Sequence, residues 1–125
     1  MVFKLENITK NSDLIHILAT AYPYGESHPG KDIGFLSIGP TDLNKGEFQV
    51  SRFEIDREYR GHDYQIGRQM MDMATKELKE KGATILRVKP LPVDKRISLK
   101  KLKKRYRGYG FRAEGNTDRI LKPIS

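Results

Sequence analysis

The chain of 125 residues contains no cysteine, which excludes disulfides, thiolate zinc sites and a cysteine nucleophile. No apolar run approaches the length of a membrane span, so no membrane partner is expected. The opening residues MVFKLENITK are too polar for a secretory signal, and the expected location is the cytoplasm. The three histidines, His16, His28 and His62, do not have metal-ligand spacing, so no metal is expected. Internal repeats and low-complexity stretches are also lacking. What is present is 37% hydrophobic residues, with 11 Gly and 6 Pro. That suits one soluble domain over residues 1–125, long enough to bury a core.

Charge is abundant but uneven. Residues 1–78 hold 9 Lys and Arg against 12 Asp and Glu, whereas residues 79–112 hold 13 against 2. A strongly basic segment in an otherwise mildly acidic chain suggests an anionic partner, either a phosphorylated small molecule or nucleic acid. A solvated helix face is the plain alternative.

Periodicity supplies the elements. Val2 to Ile8 alternates and reads as a strand. Asn11, Ser12 and Asp13 offer a cap for a short helix carrying Leu14, Ile15, Leu18 and Ala19. On that helix His16 reads as structural. Tyr22 to Lys31 is a loop by its Pro, Gly and Ser content. Ile33 to Ile38 is a strand ended by Gly39-Pro40, and Asn44-Lys45-Gly46 turns the chain into a strand over Phe48 to Ile55. A helix begins near Gln65 or Ile66, with Ile66, Met70, Met73, Ala74 and Leu78 on one face, and Gly82 stops it. Ala83 to Val88 is a strand parallel to Phe48–Ile55 through that crossover helix. Pro90 and Pro92 end it. Ser98 caps a second helix through about Arg107, with Leu99 and Leu102 inward. Phe111 to Glu114 and Arg119 to Lys122 pair as a hairpin across Gly115-Asn116. The order is β-α-β-β-α-β-α-β-β, an α/β (α+β) fold with a mixed sheet and helices on both faces.

The stretch from Phe53 to Gly82 is the centre of this scheme. A strand, a basic glycine-containing turn and a helix start together make a place to hold phosphate. The first N–H groups of a helix are unpaired and its dipole favours an anion there.

These residues resemble the GNAT superfamily of acyl-CoA-dependent N-acyltransferases. Phe53-Glu54-Ile55 stands for the family's strand end, Glu58-Tyr59-Arg60-Gly61 for its loop entry, and Ile66-Gly67-Arg68-Gln69-Met70-Met71 for its helix start. Downstream, Tyr106-Arg107-Gly108-Tyr109-Gly110-Phe111 matches a family tyrosine four residues before a Gly-Phe pair. One departure stands out. Where the family has Arg-Gly-x-Gly-x-Gly, this chain reads Arg60-Gly61-His62-Asp63-Tyr64-Gln65-Ile66-Gly67. It has two extra residues and no middle glycine; a gapless alignment from His62 places Gln65 at a glycine position.

The resemblance implies a GNAT-like, mostly antiparallel sheet with a central parallel pair. It implies acetyl-CoA as acyl donor and a primary amine, not identified by the sequence, as acceptor. The donor would lie along Phe53 and Ile55. Its diphosphate would meet Gly61, His62, Gln65, Ile66 and Gly67, with charge from Arg60 and Arg68. A main-chain N–H of the Phe53–Ile55 strand would polarise the thioester carbonyl. Tyr106 is the candidate proton donor to the departing thiolate, because a phenol is protonated at neutral pH; the plain alternative is a ring packed on the sheet. Tyr109 can substitute for it in space. Glu54, with Glu47 and His62 behind it, is a candidate general base, and a water can serve instead. Tyr22, Tyr24 and His28 are guessed to line the acceptor side. The segment Lys100 to Arg107 also reads as a nucleic-acid surface, since basic residues with an interleaved tyrosine neutralise phosphates without reading sequence. A monomer and a homodimer are both open.

Overall fold

The computed structural model describes residues 2–9, 13–41, 45–60, 64–88, 98–113 and 120–124. Seven strands form one mixed sheet in the order β1-β2-β3-β4-β5-β7-β6. The strands are β1 (Val2–Asn7), β2 (Ile15–Tyr22), β3 (Lys31–Pro40), β4 (Glu47–Ile55), β5 (Ile85–Val88), β6 (Arg112–Ala113) and β7 (Ile120–Pro123). Helix α1 (Ile66–Glu80) joins β4 to β5, and α2 (Leu99–Gly108) lies between β5 and β6. Every strand pairing is antiparallel except β4 with β5. A parallel neighbour needs a crossover connection, and α1 is that crossover.

The expected helix around Leu14 to Ala19 is replaced by β2. Ile15, Ile17, Ala19 and Ala21 are all fully buried, with half-buried residues between them. That is a period of two, and it outweighs the weaker helical spacing of Leu14, Ile15, Leu18 and Ala19. Isoleucine and threonine also favour a pleated strand over a helix. Both edges of β2 are paired, to β1 and to β3, so the tertiary setting completes what propensity begins. His16 therefore sits on a strand, with its ring 5.4 Å from that of Phe35. The proposed caps Asn11 and Ser12, the loop residues Gly61, His62 and Asp63, the prolines Pro90 and Pro92, and the hairpin tip Gly115-Asn116 lie outside the described residues.

Other elements fall close to expectation. β3 runs through Gly39-Pro40 rather than ending before it, and a single 3-10 turn, Arg57–Tyr59, follows β4. Helix α1 ends at Glu80, and Gly82 then takes a φ of 76°, a conformation that glycine adopts without penalty. The core lies between α1 and one sheet face. Met70, Met71, Ala74 and Leu78 are fully buried against the β2 and β3 side chains Ile15, Ile17, Leu36 and Ile38. The methionines are core filler, as expected.

The single seven-stranded mixed sheet with one parallel pair and two helices matches the expected fold class, and just past the end of α2 Tyr109 meets both Phe53 of β4 and Gly67 of α1. On the other face of β2 to β4, His16, Phe35 and Ser37 are half-buried, and Arg52 and Glu54 are exposed.

Candidate active site

Strands β4 and β5 pair only through Glu47 with Ile85, Phe48 with Leu86 and Gln49 with Arg87. Beyond Gln49, β4 continues to Ile55 with no partner on its β5 side among the described residues. The Asp56 N–H donates to the Ile33 carbonyl of β3 at 2.6 Å. Backbone N–H groups alternate along a strand, so the N–H groups of Phe53 and Ile55 point to the open side. A cavity of about 630 Å³ occupies that side. Phe53 and Ile55 line one wall, Ile66 and Gly67 another, and Leu102 and Tyr106 of α2 the third.

The helix start forms one end of this cavity. Gln65, the residue before α1, has φ 51° and ψ 32° and is the sole non-glycine residue with positive φ among the described residues. This left-handed turn costs about 1–2 kcal/mol for an L-residue, and it falls where a gapless alignment from His62 would carry glycine. The Gln69 side chain, which donates to the Tyr64 carbonyl at 3.1 Å, ties the turn down. The Gln69 N–H makes the first helical bond, to the Gln65 carbonyl at 3.0 Å. The N–H groups of Ile66, Gly67 and Arg68 precede it and have no partner within the helix.

Gly67 is a glycine for lack of space. A Cβ there would stand 2.5 Å from the Tyr109 hydroxyl and 3.1 Å from Ile55 Cδ1. Its absence lets α1, β4 and the end of α2 converge.

Arg60 and Arg68 both line the cavity, and both also act as ties. Arg60 Nε donates to the Ile55 carbonyl at 2.7 Å, and Arg68 Nη2 donates to the Gly108 carbonyl at 2.9 Å at the C-terminal end of α2. A guanidinium at a helix C-terminus complements the dipole there. Lys101, Lys104 and Arg105, all exposed, line the same cavity from α2.

Four aromatic rings close the inner end. Tyr106 is 7% exposed and stands edge-on to Phe111 at 5.3 Å, to Tyr109 at 6.0 Å and to Phe53 at 6.2 Å. Neither the Tyr106 nor the Tyr109 hydroxyl has a hydrogen-bond partner among the described residues. Burial pushes the Tyr106 phenol well above its ordinary range; nearby Tyr109 adds to this and Arg105 opposes it. Burial also raises Tyr109, against Arg105 and Arg68. Both rings therefore carry their protons at neutral pH.

No protein-family model matches the sequence, and no curated protein matches it. Solved structures do match. An acetyltransferase of the GNAT family from Staphylococcus aureus aligns with a TM-score of 0.67 over 92% of this chain and 70% of its own, at 16% identity. Nourseothricin acetyltransferase aligns with a TM-score of 0.66 over 99% of this chain and 84% of its own, at 21% identity. An aminoglycoside 6'-N-acetyltransferase complexed with coenzyme A aligns with a TM-score of 0.67 over 92% and 75%, at 14% identity.

The fold is that of the GNAT acetyltransferases.

Within this GNAT fold the expected residues fall into three groups. Phe53, Ile55, Arg60, Gln65, Ile66, Gly67, Arg68 and Tyr106 line one cavity. Gly61 and His62 lie outside the described residues. Glu54 borders the cavity, but its carboxylate accepts from Arg52 at 2.7 Å. That hydrogen bond holds the carboxyl below its usual range and leaves it a weaker base. Glu47 is held by Arg87. Tyr22, Tyr24 and His28 do not line the cavity. Tyr109 lines the cavity as well, and from the basic segment Lys100 to Arg107 the cations that line it are Lys101, Lys104 and Arg105. Helical spacing carried the signal for both. Tyr106 and Tyr109 are three residues apart and share a face, and Lys101, Lys104 and Arg105 repeat at three and four.

Proposed function

We propose that this GNAT-fold protein is an N-acetyltransferase that moves an acetyl group from acetyl-CoA to a primary amine. The observation that carries this reading is the inner edge of β4, without a strand partner among the described residues, flanked by an open helix start and faced by a buried, protonated phenol. The acyl-CoA chain can lie along that edge as a third strand-like partner. The diphosphate fits the N–H groups of Ile66, Gly67 and Arg68, a helix-start anion site. Lys101, Lys104 and Arg105 add positive charge along the same path. Cocrystallised coenzyme A in the aminoglycoside acetyltransferase supports a CoA-sized occupant.

The reaction follows from the same placement. A neutral amine attacks the thioester carbonyl carbon, and a C–N bond forms. The carbonyl oxygen gathers negative charge, which an N–H of Phe53 or Ile55 is aimed to stabilise. The C–S bond then breaks, the thiolate takes the Tyr106 proton, and the amine proton leaves to water, from which the phenolate is reprotonated. Water is the acceptor in this reading because the Glu54 carboxylate is engaged by Arg52 at 2.7 Å. Holding both reactants together supplies much of the rate by removing translational freedom.

Calorimetric titration with acetyl-CoA is the first test. Saturable binding is expected, and no heat or thermal shift at millimolar concentration would overturn the proposal. The charge on α2 also suits nucleic acid, but Lys101, Lys104 and Arg105 line the cavity, which favours the phosphates of a small donor. Oligonucleotide affinity that falls steeply with salt and is not displaced by acetyl-CoA would reverse that preference.

A further inference from the structure

We infer that Tyr109 is a binding residue for the donor's diphosphate, through its hydroxyl beside the start of α1. The inference rests on the acyl-CoA reading above and adds a role for a residue outside the Tyr-to-Gly-Phe pattern.

Three observations support it. The Tyr109 hydroxyl is lodged beside Gly67, in the space a Cβ would fill at 2.5 Å. Gly67 is the second residue of α1, so the phenol stands within the first turn, where N–H groups lack partners. The hydroxyl has no hydrogen-bond partner among the described residues, although it lies in a half-buried wall of the cavity. A half-buried hydroxyl leaves bonding capacity unused unless a ligand or water takes it. The ring is also fixed in place. Its centroid is 6.2 Å from that of Phe53 and 6.0 Å from that of Tyr106. Arg68 binds the adjacent Gly108 carbonyl at 2.9 Å. The more deeply buried Tyr106, also without a partner among the described residues, stands at the same 6.2 Å from Phe53 but is not the phenol lodged against Gly67, so the two are placed for different jobs. Tyr106 faces the acyl end and Tyr109 the anionic end. Burial keeps Tyr109 protonated, so it can only donate to a diphosphate oxygen, the strong, charge-assisted kind of hydrogen bond.

The test uses Tyr109→Phe, which keeps the ring and its packing, and two probes, CoA and 3′-phosphoadenosine 5′-diphosphate, the half of CoA that lacks pantetheine. Calorimetry on the full chain should show both probes weakened by the same factor, about tenfold, as expected for a lost hydrogen bond to a charged group. Tyr106→Phe should leave both affinities within about twofold of wild type, since it acts at the acyl end. Weakening of CoA alone would place the hydroxyl on the pantetheine arm and overturn the inference. So would no weakening of either probe, or a wild-type protein that binds CoA but not the diphosphate half. A wild-type protein that binds neither would instead bring down the acyl-CoA reading itself, before any variant is made.

Discussion

The two helices of this protein hold their places by different means. Helix α1 has 15 residues and buries six of them: Ile66, Gly67, Met70, Met71, Ala74 and Leu78. Helix α2 has ten and buries only Tyr106. Burial of a large apolar side chain contributes about 1.5–3 kcal/mol, so α1 is held by area over four turns. Helix α2 is held at its ends. At one end the Ser98 hydroxyl accepts the Lys101 N–H at 3.2 Å. At the other, Arg68 grips Gly108, Tyr106 packs on Phe53 of β4, and Tyr109 sits between Phe53 and Gly67 of α1. The exposed middle of α2 is free to carry cations. Elements with few buried contacts open locally at lower cost. One helix is therefore scaffold, and the other is a charged wall hung from its aromatic end.

That contrast can be broken at several points. The largest effect on stability is expected in α1. Met70→Ala should cost about 2–5 kcal/mol in chemical denaturation, because Met70 is fully buried above Gly34. Leu102→Ala in α2, where the side chain is only half-buried, should cost clearly less; an equal loss would refute the contrast.

Next is chemistry at the aromatic end of α2. Tyr106→Phe should lower kcat about 100-fold or more, with acetyl-CoA affinity nearly unchanged. The sign of the pH effect follows from burial. The acid must be protonated, and its pKa is raised, so wild-type activity should not fall through loss of the phenol proton until well above the ordinary phenol value of about 10. Unchanged turnover in the variant would remove Tyr106 from the mechanism.

Gly67→Ala tests the junction between the helices. The added methyl meets the Tyr109 hydroxyl and Ile55, so a loss of about 1–3 kcal/mol is expected. It should come with weaker acetyl-CoA binding, measured on protein still folded by circular dichroism. Ser98→Ala loosens the other end of α2 and should cost about 1 kcal/mol. The smallest effect, and the one of opposite sign, is Gln65→Gly. Relief of the left-handed conformation should roughly offset or slightly exceed glycine's greater unfolded freedom, giving a gain of up to about 1 kcal/mol in a thermal melt. A loss there would mean that the Gln65 side chain makes a contribution its backbone conformation does not reveal.

Much of this architecture was readable from residue order. The α1 face, its stop at Gly82, the parallel β4–β5 pair, the Ser98 cap and the closing β6–β7 pair all follow from spacing and turn chemistry that act locally. The short helix at Leu14 to Ala19 was misread because a few apolar residues in a short segment fit both periods. Only the paired neighbours of β2 decide between them. The lining of the cavity was half legible. Phe53, Ile55, Gly67, Arg68 and Tyr106, named through the motif resemblance, all line it. The placement of Tyr109 was not legible because it is spatial: it depends on what the missing Cβ of Gly67 leaves open, 42 positions earlier in the chain. Glu54 was an attractive base in one dimension. In three it is the partner of Arg52, two residues away on the same strand face.

By itself, then, the amino-acid order determined the strand–turn–helix at Phe53 to Gly82, the basic character of α2 and the tyrosine before Gly110-Phe111. These arise from hydrophobic period, glycine placement and charge, which are properties of neighbouring residues. Only the tertiary structure decided where β4 parts from β5, which N–H groups face the gap, that Gln65 adopts a glycine's conformation, and that a phenol from one helix end meets the start of another. Those outcomes depend on long-range pairing and close packing, and no local pattern encodes them.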